Sequence, residues 1–469
     1  MTASTLLTDA LAQTIEHDYW DRQTRFREAW EYYHGQHSQP IGTAKDVVIV
    51  NNAGTIVDIG VDFLFGTGPG GTVIEFDAGD DEQVQTAVDK LWSHNRKNTL
   101  LRLLSLNGGV TGHPWIRIVP SKQRGGVPRL VVVDPANVSV AWEPDDYTNV
   151  RAVRVEWLTT GRKGVECWRE EHIRADDDRS WTIQRYWARH ARVNTAEASL
   201  LLSARWEPAG EPEHWPHAWC QLQSTQNLPR PNEFWGTSDI EHDVQRINDA
   251  LNAVSSDARK TLRHFAHPKI LAKGFTADDL DGSIGDLWEV PEGANAEVLQ
   301  LQSDLAASFR LMEWLDAKQW ERSAIPKIAA GRAENVGQMS SLALEILYRP
   351  LIAKTNTKRD LYGDLLIDVS RFALELMSVS VEADALDLAW PEVLPTSERE
   401  AAETAAIITE RVGGSRSTQM ERLGLDPEVE AERRAEEDSA GLGSDAGLAG
   451  LLADLGDDPA PAGGDSLEG

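Results

Sequence analysis

The sequence predicts an α+β fold, because its strands and its helices are grouped in different parts of the chain. Five strand-like runs follow one another between residues 114 and 187, and polar turns join them. Helical periodicity dominates before and after that block, and its longest run covers residues 340–377. This grouping indicates antiparallel sheets beside helices, since a parallel sheet requires strands and helices that alternate.

Three helices are predicted before or at the start of the strand block. Apolar residues recur at helical spacing over 18–33, 52–65 and 81–104. The strands are predicted at 114–119, 129–133, 138–142, 151–157 and 180–187, with a polar turn at 144–149. Five tryptophans fall in strand-like segments, where packing of a large side chain explains them: Trp157, Trp168, Trp181, Trp187 and Trp206.

The order of elements after Pro231 is the most specific pattern in the chain. An amphipathic helix is predicted from Gly236 onward, and its apolar stripe consists of Ile240, Val244, Ile247 and Leu251. Short runs at 268–272 and 286–290, bounded by glycine and proline, predict strands. Helix returns at 305–323, and a loop over 325–337 separates it from the longest helix.

That longest helix contains a proline. At a rise of about 1.5 Å per residue it would be about 57 Å long. Pro350 removes one backbone donor and crowds the carbonyl four residues earlier, so we expect a kink over 346–350. Two separate helices with a turn at Arg349 and Pro350 are the alternative on the same steric ground.

The last seventy residues are predicted to form short helices followed by an acidic tail. The helices are expected at 397–411, 417–423 and 428–437. Residues 435–469 contain nine acidic residues and no basic one, with abundant Gly and Ala. Such a composition buries too little apolar surface to offset its ordering entropy, so we expect disorder, with 448–455 as the one segment that could fold on a partner.

Length and composition limit the class of protein. With 469 residues, 41% of them hydrophobic, the chain can bury one large or two ordinary cores. It contains no run of about 18 apolar residues, so no bilayer span is predicted. The N-terminus lacks the basic start and apolar core of a secretion signal. Two cysteines allow no disulfide framework, and folding in a reducing cytosol is expected.

The net charge of −29 bears on nucleic-acid binding. The chain has 46 basic and 75 acidic residues, whereas a protein that grips DNA neutralises phosphates with lysine and arginine. The charge therefore argues against a DNA-binding regulator. It is compatible with a conduit, because an acidic wall repels a duplex that must slide past it.

Two motifs suggest chemistry that their surroundings do not support. Residues 66–71 match G-x-G-x-x-G, but a strand-like run at 72–76 follows where a dinucleotide site needs a helix. His214, His217 and Cys220 have a spacing that could supply three zinc ligands, but no fourth ligand is evident and Pro216 lies between them. We expect an exposed loop or edge strand there, with zinc as the alternative. No phosphate-binding loop, G-x-S-x-G or H-E-x-x-H occurs, so no catalytic, cofactor or metal site is predicted.

Several segments resemble the portal proteins of tailed bacteriophages, of the siphophage type. Residues 236–257 resemble the start of the first stem helix of that family, and 342–351 resemble its long helix after the tunnel loop. The segments at 57–66, 107–109 and 131–138 resemble its wing. The likeness covers residues 15 to 430, and the order of the elements carries it.

The resemblance implies a portal fold with an α+β wing, a two-helix stem, a small α/β clip, a long kinked helix and a helical C-terminal crown. The implied divisions are a wing (1–236), a first stem helix (237–265), a clip (266–304), a second stem helix (305–323), a tunnel loop (324–339), the long helix with its return to the wing (340–395), a crown (396–434) and the tail (435–469).

The resemblance also implies a function. Such a chain forms a dodecameric ring at one capsid vertex, serves as the channel for DNA packaging and ejection, and docks other components. The implied partners are further copies of itself, the major capsid protein and scaffold, the large terminase subunit, a head-tail adaptor, and double-stranded DNA that passes without sequence-specific contact. No membrane and no cofactor are implied. The implied location is the virion, after assembly in the host cytoplasm. A nucleotide-dependent enzyme using the glycine run near residue 66 is the alternative.

The implied site residues fall in three places. In the tunnel loop, the DNA-facing residues are Lys327, Arg332, Glu334 and Asn335. In the clip, the docking residues are Phe275, Asp286, Trp288 and Glu289, and its short strands are expected to pair between neighbouring subunits. Pro350 marks the helix kink. The simpler alternatives are a solvated turn for the loop and a hairpin packed on its own stem for the clip.

Overall fold

The computed structural model describes residues 9–37, 46–66, 73–143, 145–161, 164–190, 204–266, 270–273, 295–298, 305–332, 341–382, 385–393, 407–409, 415–422 and 427–439. The chain divides into two compact units, Met1–Val393 and Leu394–Gly469. The fold class is α+β with antiparallel sheets, as the sequence predicts. None of the described helices is long and apolar enough to cross a membrane.

The described helices of the first unit are α1 (Asp9–Tyr33), α2 (Asn52–Phe65), α3 (Glu82–His94), α4 (Lys97–Thr111), α5 (His242–Ala266), α6 (Leu305–Ser323) and α7 (Ser341–Leu376). Their order matches the predicted order, with two differences. A single helix is predicted over 81–104, whereas the structure has α3 and α4. The helix predicted from Gly236 begins at His242 instead.

Each difference has a local cause. Arg96 has φ 53°, a left-handed conformation that ends α3, and the Asn95 side chain bridges Leu91 O to the strand that begins at Arg129. The residues before α5 are held in a loop, because Asp239 N–H donates to Gly109 O (2.8 Å) and Ser238 Oγ donates to Val110 O (2.7 Å). Periodicity detects neither contact, since both join distant parts of the chain.

The described strands are β1 (Glu75–Asp77), β2 (Trp115–Val119), β3 (Arg129–Val133), β4 (Val138–Glu143), β5 (Asp146–Gly161), β6 (Gly164–Arg174), β7 (Trp181–His190), β8 (Glu207–Pro208), β9 (Glu213–Trp215), β10 (Leu222–Ser224), β11 (Ile270–Lys273), β12 (Asn295–Val298) and β13 (Asp387–Ala389). The five predicted strands correspond to β2, β3, β4, β5 and β7.

The strands form four antiparallel sheets among the described residues. The largest has the order β4-β5-β6-β7-β8, with β9 also paired to β7. The others are β10-β2-β3, β1-β13 and β11-β12. Trp157, Trp168 and Trp187 are register partners across β5, β6 and β7, which confirms the packing interpretation of these tryptophans. Trp206 lies just before β8 and packs on Arg169.

Two apolar cores position the helices. The larger lies between the sheets and α3, α4 and α7, where Trp92 stacks on Phe76 at 4.7 Å and donates to Ser370 Oγ at 3.0 Å. The second core joins α2, α5, α6 and α7, and its buried members include Val57, Val244, Trp320 and Leu351. The second core therefore holds α5 and α6, the two predicted stem helices, against the rest of the first unit.

The longest helix, α7, runs unbroken through Pro350. The alternative of two helices with a turn at Arg349 and Pro350 is therefore wrong. Pro350 falls where the exposed first part of the helix meets the buried part that begins at Leu351. β13 follows α7 and pairs with β1, so the chain after the long helix returns to a strand near the N-terminal part of the first unit.

In the second unit, the described helices are α8 (Arg416–Arg422) and α9 (Pro427–Ser439), which match the helices predicted at 417–423 and 428–437. Most of the helix predicted at 397–411, and the tail beyond Ser439, lie outside the described residues.

Candidate functional site: the stem helices and the loop between α6 and α7

The two stem helices are joined by polar contacts inside their interface. Gln319 Nε2 on α6 donates to Asn248 Oδ1 on α5 at 2.7 Å, and Ser255 Oγ donates to Met312 Sδ at 3.2 Å. Position 248 pairs with 319 while 255 pairs with 312, so α5 and α6 run antiparallel. The buried amides of Asn248 and Gln319 fix the relative register of the two helices, because each would lose a hydrogen bond if one helix slid.

An extended segment, residues 46–51, lies along α5 and bonds to a ladder of its side chains. Val50 N–H donates to Asn252 Oδ1 at 2.8 Å, and Val48 N–H donates to Ser256 Oγ at 2.9 Å. Asn248 Nδ2 donates to Val50 O at 3.0 Å. These side chains recur every four residues, one per helical turn, so they meet the backbone groups of a neighbouring extended chain.

A buried histidine closes this ladder. His37 Nδ1 accepts hydrogen bonds from Asn248 Nδ2 and Asn252 Nδ2, both at 2.9 Å. His37 Nε2 donates to Tyr32 O at 3.0 Å, and its ring stacks on Tyr32 with 4.6 Å between centroids. The partners of His37 thus set its tautomer, with Nδ1 as the acceptor and Nε2 as the donor.

The polar network continues from the stem to the loop through Asn52, the first residue of α2. Asn52 Nδ2 donates to Gln319 Oε1 at 2.9 Å and to Asp316 Oδ1 at 3.2 Å. Asn52 is buried, so these bonds are shielded from water. One side chain at the start of α2 thus contacts two residues of α6, and one of those two, Asp316, faces the loop.

Asp316 gathers both basic side chains of the predicted tunnel loop. Lys327 Nζ lies 2.9 Å from Asp316 Oδ2, and Arg332 Nη1 lies 3.1 Å from Asp316 Oδ1. Trp320 Nε1 also donates to Asp316 Oδ1 at 3.0 Å. Burial alone would raise the pKa of Asp316, but the hydrogen bonds from Lys327 and Trp320 and the two positive charges lower it overall.

The described part of the loop is compact. Ile325 is buried, and Lys327–Ala330 form a 3-10 turn after Pro326. Gly331 follows with φ 71°, a left-handed conformation that glycine adopts without strain. The reversal at Gly331 brings Arg332 back over the Trp320 ring, 5.4 Å from its centroid.

A second charged cluster lies where α7 passes the start of α5. Asp239 Oδ2 is 2.6 Å from Lys358 Nζ, and Asp239 Oδ1 is 3.0 Å from Lys354 Nζ. Lys354 Nζ also donates to Ser323 O at 3.1 Å, at the end of α6. Gly60 and Gly109 flank the carboxylate, and a Cβ at either position would lie about 3 Å from Asp239 Oδ2.

Burial and charge act against each other in this cluster. Burial alone would raise the pKa of Asp239, but the charges of Lys354 and Lys358 lower it overall. Burial lowers the pKa of Lys358, and the Asp239 carboxylate only partly offsets that effect. The cluster joins the loop before α5 to α7 and to the end of α6, so it holds these elements together.

The helices α5, α6 and α7 also expose large apolar side chains. They are Leu262 on α5, Phe309, Leu311 and Trp314 on α6, and Ile346 and Leu347 on α7. Trp314 is 56% exposed and Ile346 is 63% exposed. Several large apolar side chains exposed on these helices are consistent with a contact with another protein.

The structure brings together some predicted site residues and leaves others undescribed. Lys327 and Arg332 meet at Asp316, and Pro350 lies inside α7. Two loop residues, Glu334 and Asn335, lie outside the described residues, as do the four clip residues Phe275, Asp286, Trp288 and Glu289. The residue that sequence reasoning missed is Asp316. Its only signal is an acidic side chain one turn before Trp320, on the α6 face that Gln319 also occupies.

Among the described residues, those around the glycine run at 66–71 and the His214, His217 and Cys220 motif do not form a ligand site. β1 follows the glycine run at 66–71 within a few residues, so a strand stands where a dinucleotide site needs a helix. His217 Nδ1 hydrogen-bonds Glu375 Oε1 at 2.7 Å. Cys220 is buried, and Leu222 N–H donates to its Sγ at 3.5 Å. His214 lies on β9, so the three potential zinc ligands have separate surroundings.

The family model for "Phage portal protein, SPP1 Gp6-like" matches residues 12–441. The chain belongs to this phage portal family. Portal proteins of this family are structural ring proteins and not enzymes, so the alternative of a nucleotide-dependent enzyme does not hold. The chain is a virion component.

Solved structures are similar to this portal chain at low identity. The virion of a native gene transfer agent particle contains a chain that is 13% identical, with a TM-score of 0.45, 80% of this chain covered and 90% of that chain. A chain in the neck of a native particle computed with C12 symmetry is 12% identical, with a TM-score of 0.44, and the match covers 85% of this chain and 99% of that chain. A chain in the neck of an empty particle computed with C6 symmetry is 13% identical, with a TM-score of 0.42, and the match covers 83% of this chain and 96% of that chain. No curated protein matches the chain.

Proposed function

We propose that twelve copies of this chain form a ring at one vertex of the capsid, and that the ring is the channel for packaging and ejecting DNA. The observation that carries the proposal is the family match, which extends over residues 12–441 and so includes the stem, the loop and the long helix. In the ring, α5 and α6 of each subunit lie beside those of its neighbours.

The exposed apolar residues of the stem support self-association. Trp314 and Leu311 lie on one flank of α6, and Phe309 lies on the opposite flank, relative to the face that packs on α5. A ring requires two different contact surfaces on each subunit, because every subunit meets one neighbour on each side. Apolar residues on both flanks of α6 fit that requirement.

The loop between α6 and α7 is proposed to face the DNA. Its two cations, Lys327 and Arg332, meet a single carboxylate, Asp316, within a chain of net charge −29. Lys327 and Arg332 are 43% and 50% exposed, so any contact with a phosphate is screened by salt and weak. Weak contacts allow a duplex to slide, and the proposed loop contacts include Glu334 and Asn335.

The clip is proposed to dock other components of the virion and its packaging motor. β11 pairs with β12 in a two-stranded antiparallel sheet within one subunit. A two-stranded sheet is marginal in water, which supports our proposal that clip strands also pair between neighbours. Phe275, Asp286, Trp288 and Glu289 are the proposed contacts for the large terminase subunit and the head-tail adaptor. The capsid protein and scaffold are proposed partners of the ring.

The test of the DNA-facing loop is a double variant, Lys327→Ala with Arg332→Ala, assayed for DNA packaging and for retention of packaged DNA. The matched control is Lys122→Ala with Arg124→Ala, which removes the same charge from an exposed loop between β2 and β3. We expect the tunnel-loop variant to form rings and to change packaging or retention, while the control behaves as wild type. If both double variants behave as wild type, the loop is only a connector.

A further inference from the structure

We infer that Asp316 is a positioning residue for the loop, and that its carboxylate and the phosphates of passing DNA compete for the same two cations, Lys327 and Arg332. The inference rests on the proposed function for its second half only. The first half, that Asp316 holds the loop against α6, concerns the free protein.

The contacts of Asp316 with Lys327 and Arg332, called the clamp below, differ from an ordinary surface ion pair. Lys327 and Arg332 lie on either side of the reversal at Gly331, and both converge on the carboxylate of Asp316, one on each oxygen. The Asp316 side chain is only 20% exposed, and its Oδ1 also accepts a hydrogen bond from Trp320 Nε1. A carboxylate already fixed by a tryptophan loses little further freedom when it binds the loop.

The clamp is connected to the wing. Arg332 Nη2 lies 3.5 Å from Asn52 Oδ1, while Asn52 Nδ2 donates to Asp316 Oδ1 at 3.2 Å. Asn52, Asp316 and Arg332 therefore form a triangle between the start of α2, the stem and the loop. A movement of the loop that releases Arg332 also removes a contact from Asn52.

The exposure of the two cations makes partner exchange physically reasonable. A deeply buried ion pair costs too much to open, whereas the half-exposed side chains of Lys327 and Arg332 keep contact with solvent. A phosphate oxygen accepts hydrogen bonds from lysine and arginine as a carboxylate does. DNA in the bore could therefore take over either cation without a large barrier.

The first experiment tests the clamp with trypsin on the full-length protein, with the cleavage sites identified by mass spectrometry. Asp316→Asn keeps an oxygen that can accept from Asn52 and Trp320 but removes the charge. We expect cleavage after Lys327 and Arg332 to speed up about fivefold relative to the reference sites Lys122 and Arg124, since two partly exposed ion pairs are lost. Glu313→Gln, which removes the same charge one turn earlier on α6, should leave the ratio unchanged, and Asp316→Glu should restore it.

An equal ratio in Asp316→Asn and in wild type would overturn the clamp. A second measurement uses only the wild-type protein, so it remains valid if the Asp316 variants do not fold. Raising NaCl from about 0.05 M to about 1 M weakens exposed ion pairs, so the same cleavage ratio should rise in the unmodified protein. A ratio that does not depend on salt also overturns the clamp.

The second experiment tests the exchange, using double-stranded DNA packaged through rings of each variant. Asp316→Asn frees both cations for phosphate, so DNA should leave the channel more slowly, and the difference from wild type should vanish at high salt. If Asp316→Asn leaves DNA release unchanged while the Lys327/Arg332 double variant alters it, the exchange is overturned and the proposed function stands. If neither variant alters it, the DNA-facing role fails while the clamp stands.

Discussion

Lys358 Nζ lies 2.6 Å from Asp239 Oδ2, and both side chains are almost completely buried. The pair joins α7 to the loop that starts α5, and Lys354 extends it to the last turn of α6. Two lysines of α7 thus bind the loop before α5 through Asp239, and one of them also binds the end of α6. The consequence is that the orientation of the long helix depends on Asp239.

Replacing Asp239 with Asn should destabilise the protein by about 3–5 kcal/mol, because two lysines lose their buried counterion. The measurement is urea unfolding followed by tryptophan fluorescence. Asp257→Asn, an exposed position on α5, is the matched control and should change stability by less than about 0.5 kcal/mol. A variant of Asp239 that is as stable as this control would show that the cluster does not hold the helices.

His113 should make the wing sensitive to acid. The ring is buried against Phe234 and Trp235, and burial lowers its pKa from 6.5 to about 3, with Arg22 and Arg25 adding to the effect. The native state holds His113 neutral, so its contribution to stability is complete above pH 6.5 and declines as the pH falls toward 3. At pH 4 the loss should reach about 3 kcal/mol.

The check is the pH dependence of unfolding in wild type and in His113→Gln. The variant cannot take up a proton at this site, so the unfolding free energy of wild type minus that of the variant should fall by about 3 kcal/mol as the pH falls from 6.5 to 4. Carboxylates that titrate in the same range cancel in that difference. Parallel pH curves would contradict the assignment.

The exposed apolar residues of the stem should matter for assembly and not for folding. Trp314→Ser combined with Ile346→Ser should weaken ring formation by about tenfold or more, because both side chains lose burial against a neighbour. The measurement is the fraction of assembled particle by analytical ultracentrifugation across concentration. Leu103→Ser, at a 50% exposed position on α4, is the control and should assemble as wild type.

Deleting residues 275–292 from the clip should leave a soluble protein with an intact wing, and should weaken both ring formation and docking of the packaging motor. The reason is that the deletion removes the segment between β11 and β12 that carries the proposed contacts. Circular dichroism checks the fold, and electron microscopy checks assembly. Intact rings in normal yield would count against pairing of clip strands between subunits.

The sequence predicts well those elements whose signal is local. α6 has the predicted bounds, and α7 begins and ends within a residue of them, because each helix has periodic apolar residues and clear ends. The break between α3 and α4 is missed, since it depends on Asn95 reaching a strand more than thirty residues away. A left-handed arginine at 96 has no signature in composition.

Some residues of the candidate site could also be found from the sequence, and others could not. Its basic residues, Lys327 and Arg332, are found by position in a glycine-containing loop and by resemblance to the portal family. Their partner is not found, because nothing in the spacing of Asp316 shows that it faces the loop rather than solvent. Asp239 likewise lies in a segment that the periodicity assigns to the start of a helix, although its side chain anchors a different one.

The proposed function requires this chain to assemble into a ring with a channel. The most direct test is the purified, full-length chain analysed by native mass spectrometry and negative-stain electron microscopy in low salt. We expect particles of several hundred kilodaltons with a central hole and rotational symmetry. A uniform population at the 51.9 kDa of the single chain, unchanged as the concentration is raised, would contradict it.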